Sequence, residues 1–222
     1  MDILNIIYFT ILAISFLVSL SIYLEKNAPR YLQFFPPFLA LTFGVEMIGY
    51  FMRIRHVGNI PMYNFFTTVE FIFYFSVLYF FINQQAIRKA IVMAIWVYPL
   101  IALLNIFCFQ GLKTLHTHTI NLGAMLIIVF CIVYFYELIK HTAHAKPLRA
   151  SAFWICCGLL FFYTLTMPIM AAKGLNLLQR PYYRLLMSTP NYLLYITFTI
   201  AFLCRLNIRT AFPAARTRVP VK

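Results

Sequence analysis

Acidic side chains are almost missing from this sequence: it has five, against 18 lysines and arginines in 222 residues. Charged residues of both signs make up only 10% of the chain, where a soluble domain carries about a quarter. That is too little to clothe a water-facing surface. No GxSxG, HExxH, Walker or dinucleotide pattern occurs, so the common hydrolase, zinc-peptidase and nucleotide sites have no residues to build on. The last apolar block contains no lysine, which excludes a retinal Schiff base there. The five cysteines, Cys108, Cys131, Cys156, Cys157 and Cys204, show no paired metal-ligand spacing and read as small apolar packing residues.

What is present is apolar: 63% of the residues are hydrophobic and the mean hydropathy is +0.84. Nearly all of them fall into blocks of about 20, each long enough at about 1.5 Å per residue to cross a hydrocarbon core of about 30 Å. Seven spans are predicted: Ile3 to Leu24, Gln33 to Met52, Met62 to Asn83, Ala90 to Phe109, Thr119 to Ile139, Ser151 to Ala171 and Pro190 to Ile208. The expected fold is all-α, a polytopic membrane helix bundle over residues 1–208 followed by a disordered basic tail over 209–222. The first block follows Asp2 and has neither a basic n-region nor an A-x-A-like cleavage site, so it is kept as a helix. The connection from Lys173 to Thr189 is the longest, with a short interfacial helix expected around Tyr182 and Tyr183. No internal repeat is visible.

A net charge of +13 raises nucleic acid as a partner, but the basic residues are scattered through short connections and form no single face. The lipid bilayer and its anionic headgroups explain them better, at about 1 kcal/mol per residue near the surface. Loops 1, 3 and 5 with the C-terminal end from Arg205 hold 12 of the lysines and arginines; the other side holds 6. The positive-inside rule then places the C-terminus in the cytoplasm and the N-terminus outside. The expected location is a bacterial inner membrane.

Two of the five acids, Glu46 and Glu70, fall inside spans. A carboxylate at membrane depth costs on the order of 3 kcal/mol, and such residues face the bundle interior and often serve function. Counted from Arg53 and Pro61, they lie about 10 and 13 Å below the same surface. Helical spacing puts Thr42, Gly49 and Arg53 on the face of Glu46, and Tyr63, Thr67 and Tyr74 on that of Glu70, with Asn64 close by. Asn105, His118, Asn121, Thr164, Thr166 and Asn191 add polar groups at the same level, and Pro168 frees the carbonyl of Thr164. The pattern predicts an outward polar pocket, with Glu46, Glu70, Asn64, Thr67, His118, Asn121, Asn191 and Arg53 as its ligand-binding residues. Arg55, His56, His116, Lys173, Arg180 and Arg184 complete a basic ring that favours an anionic or zwitterionic visitor.

The competing reading is structural. Glu46 pairs with Arg53, Glu70 bonds a facing helix, and contacts of this kind are worth about 0.6 kcal/mol in membrane bundles. A metal set of His116, His118 and the glutamates is conceivable, and Glu137, His141 and His144 have ligand-like spacing, although a solvated helix end explains the latter group more simply. No cofactor is expected.

The run from Asn59 through Glu70, with Tyr134-Phe-Tyr-Glu-Leu138, Ala152-Phe-Trp-Ile155 and Tyr163, resembles a group of short seven-helix membrane proteins common in Bacteroidota. The resemblance implies that Asn64, Glu70 and Trp154 belong to a shared pattern. That group has no assigned activity, so no mechanism is carried over. A looser likeness is to the seven-helix sensory modules of bacterial receptors, which would call for a signalling partner, since no kinase sequence is present. Three functions follow in order: a ligand-binding or sensory module, a small carrier in which Glu46 and Glu70 take up and release protons, and an intramembrane lipid-modifying enzyme.

Overall fold

A computed structural model describes residues 3–25, 28–141, 147–175, 177 and 179–211. Among these, seven helices are long and apolar enough to cross a membrane, and no strand occurs. They are α1 (Ile3–Leu20, prolonged by a 3-10 turn over Ser21–Leu24), α2 (Phe35–Ile54, preceded by a single turn over Arg30–Gln33), α3 (Ile60–Phe81), α4 (Gln85–Cys108), α5 (Thr117–His141), α6 (Ser151–Gly174) and α7 (Arg180–Ala211). In each span's most apolar stretch no more than 44% of the residues are buried. Side chains such as Phe65, Trp96, Phe107 and Ile139 face outward, each more than 70% exposed. An apolar surface of this extent calls for lipid around it, as in a multi-pass membrane protein.

All seven expected spans are present, with ends that shift for local reasons. Pro36 and Pro37 fall in the first turn of α2, where a missing N–H costs nothing. Loop 3 shrinks to Ile82–Gln84, so Arg88 and Lys89 are helical. The expected interfacial helix at Tyr182 and Tyr183 is the first turn of α7, which continues through Pro190 to Ala211. Around that proline, Ser188, Thr189 and Asn191 donate side-chain bonds to the carbonyls of Arg184, Leu185 and Met187, which flank the Leu186 carbonyl that the proline leaves without its helical donor. The tail from residue 212, like His144, lies outside the described residues.

The helices pack in chain order, 1 against 2 through 6 against 7, and α1 closes the circle on α7. α3 also packs on α5 and sits innermost. Its aromatic residues interlock with those of its neighbours: Phe73 stacks on Phe38 of α2 with centroids 3.8 Å apart, Phe71 lies against Tyr98 of α4 and Tyr163 of α6, and Tyr74 meets Phe198 of α7. Edge-on and offset contacts of this sort add about 0.5–1.5 kcal/mol each beyond the area they bury. The most extensive packing is between α6 and α7. There a Cβ on Gly158 would run into the Thr197 hydroxyl, so glycine sets that spacing. Cys131 and Cys156 are buried in this core as small apolar residues, Cys108 is exposed, and all five cysteines are free.

Glu137 does not sit at a solvated helix end. It is 7% exposed, and its two carboxylate oxygens accept the backbone N–H groups of Asn83 and Gln84 at 2.8 and 2.9 Å and the Asn83 side-chain amide at 3.3 Å. It caps the start of α4 from α5, where unpaired donors and the helix dipole favour a negative charge. Trp154 has a similar fastening role, its indole N–H donating to the Leu148 carbonyl at 2.9 Å.

Candidate functional site

Within the half of the bundle that ends in loops 2, 4 and 6 lies a cavity of about 240 Å³. Five of the eight expected site residues line it: Glu46 from α2, Thr67 and Glu70 from α3, Asn121 from α5 and Asn191 from α7. Above it is a vestibule of about 670 Å³ lined by Arg53, His56, Asn59, Lys173 and Tyr183, with Tyr63 and Leu115 lining both spaces. On the far side the bundle is filled by Phe35, Tyr74, Phe75, Phe198 and Phe202, each at most 1% exposed. The cavity therefore opens toward a basic mouth and backs onto a solid aromatic layer.

Glu46 is held by Tyr63, whose hydroxyl donates to Oε2 at 3.1 Å, with the Tyr8 hydroxyl and Arg53 also within electrostatic reach. Gly49 makes this contact possible, because any Cβ there would occupy the space of the Tyr63 hydroxyl. Asn59, one turn before Tyr63, donates its side-chain amide to the Gly49 carbonyl at 3.3 Å, fixing the α2–α3 corner. Glu70 lies within electrostatic reach of Glu46 and of the Tyr74, Tyr163 and Tyr195 hydroxyls. Most hydroxyls in the spans bond back to a carbonyl three or four residues earlier, as Thr42, Thr68, Thr166 and Thr199 do. Thr67 makes no such bond and lines the cavity. The Tyr163 hydroxyl, on a residue 3% exposed that also lines the cavity, is buried without a hydrogen-bond partner. An unpaired buried hydroxyl costs about 1–3 kcal/mol, and a polar occupant of the cavity would relieve that cost.

Asn64 and His118 do not line the cavity. Both ends of the Asn64 amide are used on loop 4: Nδ2 donates to the Thr114 carbonyl at 2.8 Å, and Oδ1 accepts the His116 N–H at 3.1 Å. The same loop is knitted by Asn105, Gln110 and Thr117, while the His116 ring contacts the Gly111 carbonyl at 2.9 Å. Pinned in this way, loop 4 presents Leu115 to the cavity mouth, so Asn64 positions the wall without touching the interior. His118 is exposed, with its N–H toward Gln110. Thr164 is exposed and bonds back to Leu160.

Of the expected basic ring, Arg53, His56 and Lys173 reach the vestibule, and Lys173 sits 3.8 Å over the Tyr183 ring. Arg184 instead donates to Asn5 of α1 at 3.1 Å, and the Arg180 side chain lies outside the described residues. His56 ends α2 in the left-handed region with φ 56°, and the Val57 and His56 N–H groups return to Met52 and Arg53. Glycine normally holds that position; here an imidazole lines the vestibule. Among the described residues no three metal-ligating side chains converge, and neither His116 nor His118 lines the cavity with the glutamates.

Tyr163, Tyr195, Met167, Met170 and Met187 also line the cavity and were not expected to. Their spacing carries the signal: 163, 166, 167 and 170 on α6, and 187, 191 and 195 on α7, each follow one helical face through an expected polar anchor, Thr166 or Asn191. In a chain with 15 tyrosines and 24 phenylalanines, an aromatic on such a face does not stand out.

No family model matches the chain, and no curated protein or solved structure is significantly similar to it. The resemblance to Bacteroidota seven-helix proteins therefore rests on the residues quoted for it alone.

Proposed function

We propose that the protein is a ligand-binding membrane module, with the Glu46 and Glu70 cavity as its receptor site and the Arg53 and Lys173 mouth facing outward. The observation that carries this reading is the cavity itself: four helices bring two carboxylates, a free threonine hydroxyl and two amides to one space that backs onto packed aromatics. A pore would need polar or open space on both sides, whereas a binding site needs it on one. The outward mouth follows from the basic excess on the opposite side, and a bacterial inner membrane follows from the resemblance. Because α3 carries Glu70 and contacts α2, α4 and α5, it is the element through which occupancy would reach a signalling partner in the membrane.

A carrier is the second reading, favoured by Pro168 and Pro190. Each interrupts helical bonding beside cavity-lining residues on the closely packed α6 and α7. One experiment separates the two. Thr67→Cys, in a background whose five native cysteines are replaced, is exposed to a charged, membrane-impermeant thiol reagent on each side of the membrane. Labelling from outside only supports the binding module. Labelling from both sides favours the carrier, and no labelling from either side removes the aqueous cavity and the reading with it.

A further inference from the structure

The charges around the cavity are segregated, and the segregation selects a ligand class. Glu46 and Glu70 stand in the inner space, while Arg53 and Lys173 stand in the vestibule above it. Glu46 and Arg53 belong to one helix, seven residues apart, so their backbones stand about 10 Å apart along its axis, with the Tyr63 hydroxyl between the two side chains. A simple organic cation matches the interior but meets like charge at the mouth. A simple anion matches the mouth but meets two carboxylates below. We propose that the cavity takes a zwitterion, its ammonium group held between Glu46 and Glu70 and its anionic group at Arg53 and Lys173. This rests on the reading of the cavity as a binding site and names what it binds.

Three further features fit an ammonium group at the inner end. The Tyr163 hydroxyl is buried, unpartnered and on the cavity wall, so a polar atom of the occupant would complete it. Rings of Tyr63, Phe66, Tyr163 and Tyr195 line the same space, and aromatic faces attract cations most where water is excluded. The three methionines on α6 and α7 supply polarisable sulfur that adapts to the shape of an aliphatic chain. The inner cavity, about 240 Å³, suits a compact aliphatic backbone. At the mouth, Lys173 is steadied over Tyr183 and the exposed Arg53 stands beside the Tyr63 hydroxyl, so both cations lie where the anionic end would sit.

The test uses three probes of one chain length on the whole protein in lipid nanodiscs: 6-aminohexanoate, hexylammonium and hexanoate, with binding read by calorimetry. The expected result is that 6-aminohexanoate binds at least about tenfold tighter than either single-charge probe, a difference well resolved by titration. Glu70→Gln should weaken it about tenfold, and Arg53→Gln, a change at an exposed residue, should erase its advantage over hexylammonium. Hexanoate binding as well as 6-aminohexanoate would overturn the proposal, as would hexylammonium doing so in the wild type. Failure of all three probes to bind, in a protein whose Thr67→Cys form is labelled, overturns the ligand class while the cavity stands. Failure of that labelling overturns both.

Discussion

At the scale of single residues, three polar side chains from one end of the sequence to the other were each open to a ligand role, and their burial and partners divide them. Glu70 faces the cavity. Asn64, 5% exposed, spends both ends of its amide on loop 4, and Glu137 spends both oxygens on the start of α4. Glu137→Ala should therefore destabilise the bundle by about 2–3 kcal/mol, the cost of leaving buried donors unpaired beside a charged acceptor's empty place. Thermal unfolding in detergent, with hydrogen exchange at the first turn of α4, reads this directly. An unchanged melting temperature would mean that the cap contributes nothing. Sequence alone separates these roles poorly, because it places a residue on a helix face but not opposite a backbone donor 54 positions away.

At the scale of elements, apolar block length fixed where each helix lies, since about 20 apolar residues in lipid have no alternative to a helix. The boundaries were less legible for reasons specific to each. Arg88 and Lys89 extend α4 because Glu137 satisfies the donors that precede them, and α7 runs through Pro190 because a proline removes one backbone donor while the rest of a long apolar helix stays bonded. The spacing of α6 and α7 depends on a feature no hydropathy pattern reveals, the contact of Gly158 with Thr197. Gly158→Val should push the two helices apart and cost about 1–3 kcal/mol by overpacking, while Thr197→Ala in the same chain should restore part of the loss. Thermal stability of the single and double variants checks it, and additive losses would show that the two residues do not meet.

At the scale of the whole molecule, the bundle is asymmetric along its axis. One half is solid with interlocked aromatics, and the other holds an acidic cavity beneath a basic mouth. The depth of Glu46 and Glu70 and the faces of Thr67, Asn121 and Asn191 were readable from helical spacing and from the rarity of acids in this chain. The tyrosines and methionines that complete the wall were not, because their types are common here and only packing selects the ones that face inward. The central claim is that the two glutamates are held for an occupant and not for the fold. Glu46→Gln preserves an acceptor for the Tyr63 hydroxyl, and Glu70→Gln removes a charge from a space shared with Glu46. Functional polar groups of this kind are kept at a cost to stability. The deciding measurement is the thermal stability in detergent of the wild type, the two single Gln variants and the double variant. All three variants melting at or above the wild type is the result predicted. Losses of several degrees in each single variant, non-additive in the double, would show a coupled structural contact and contradict the account.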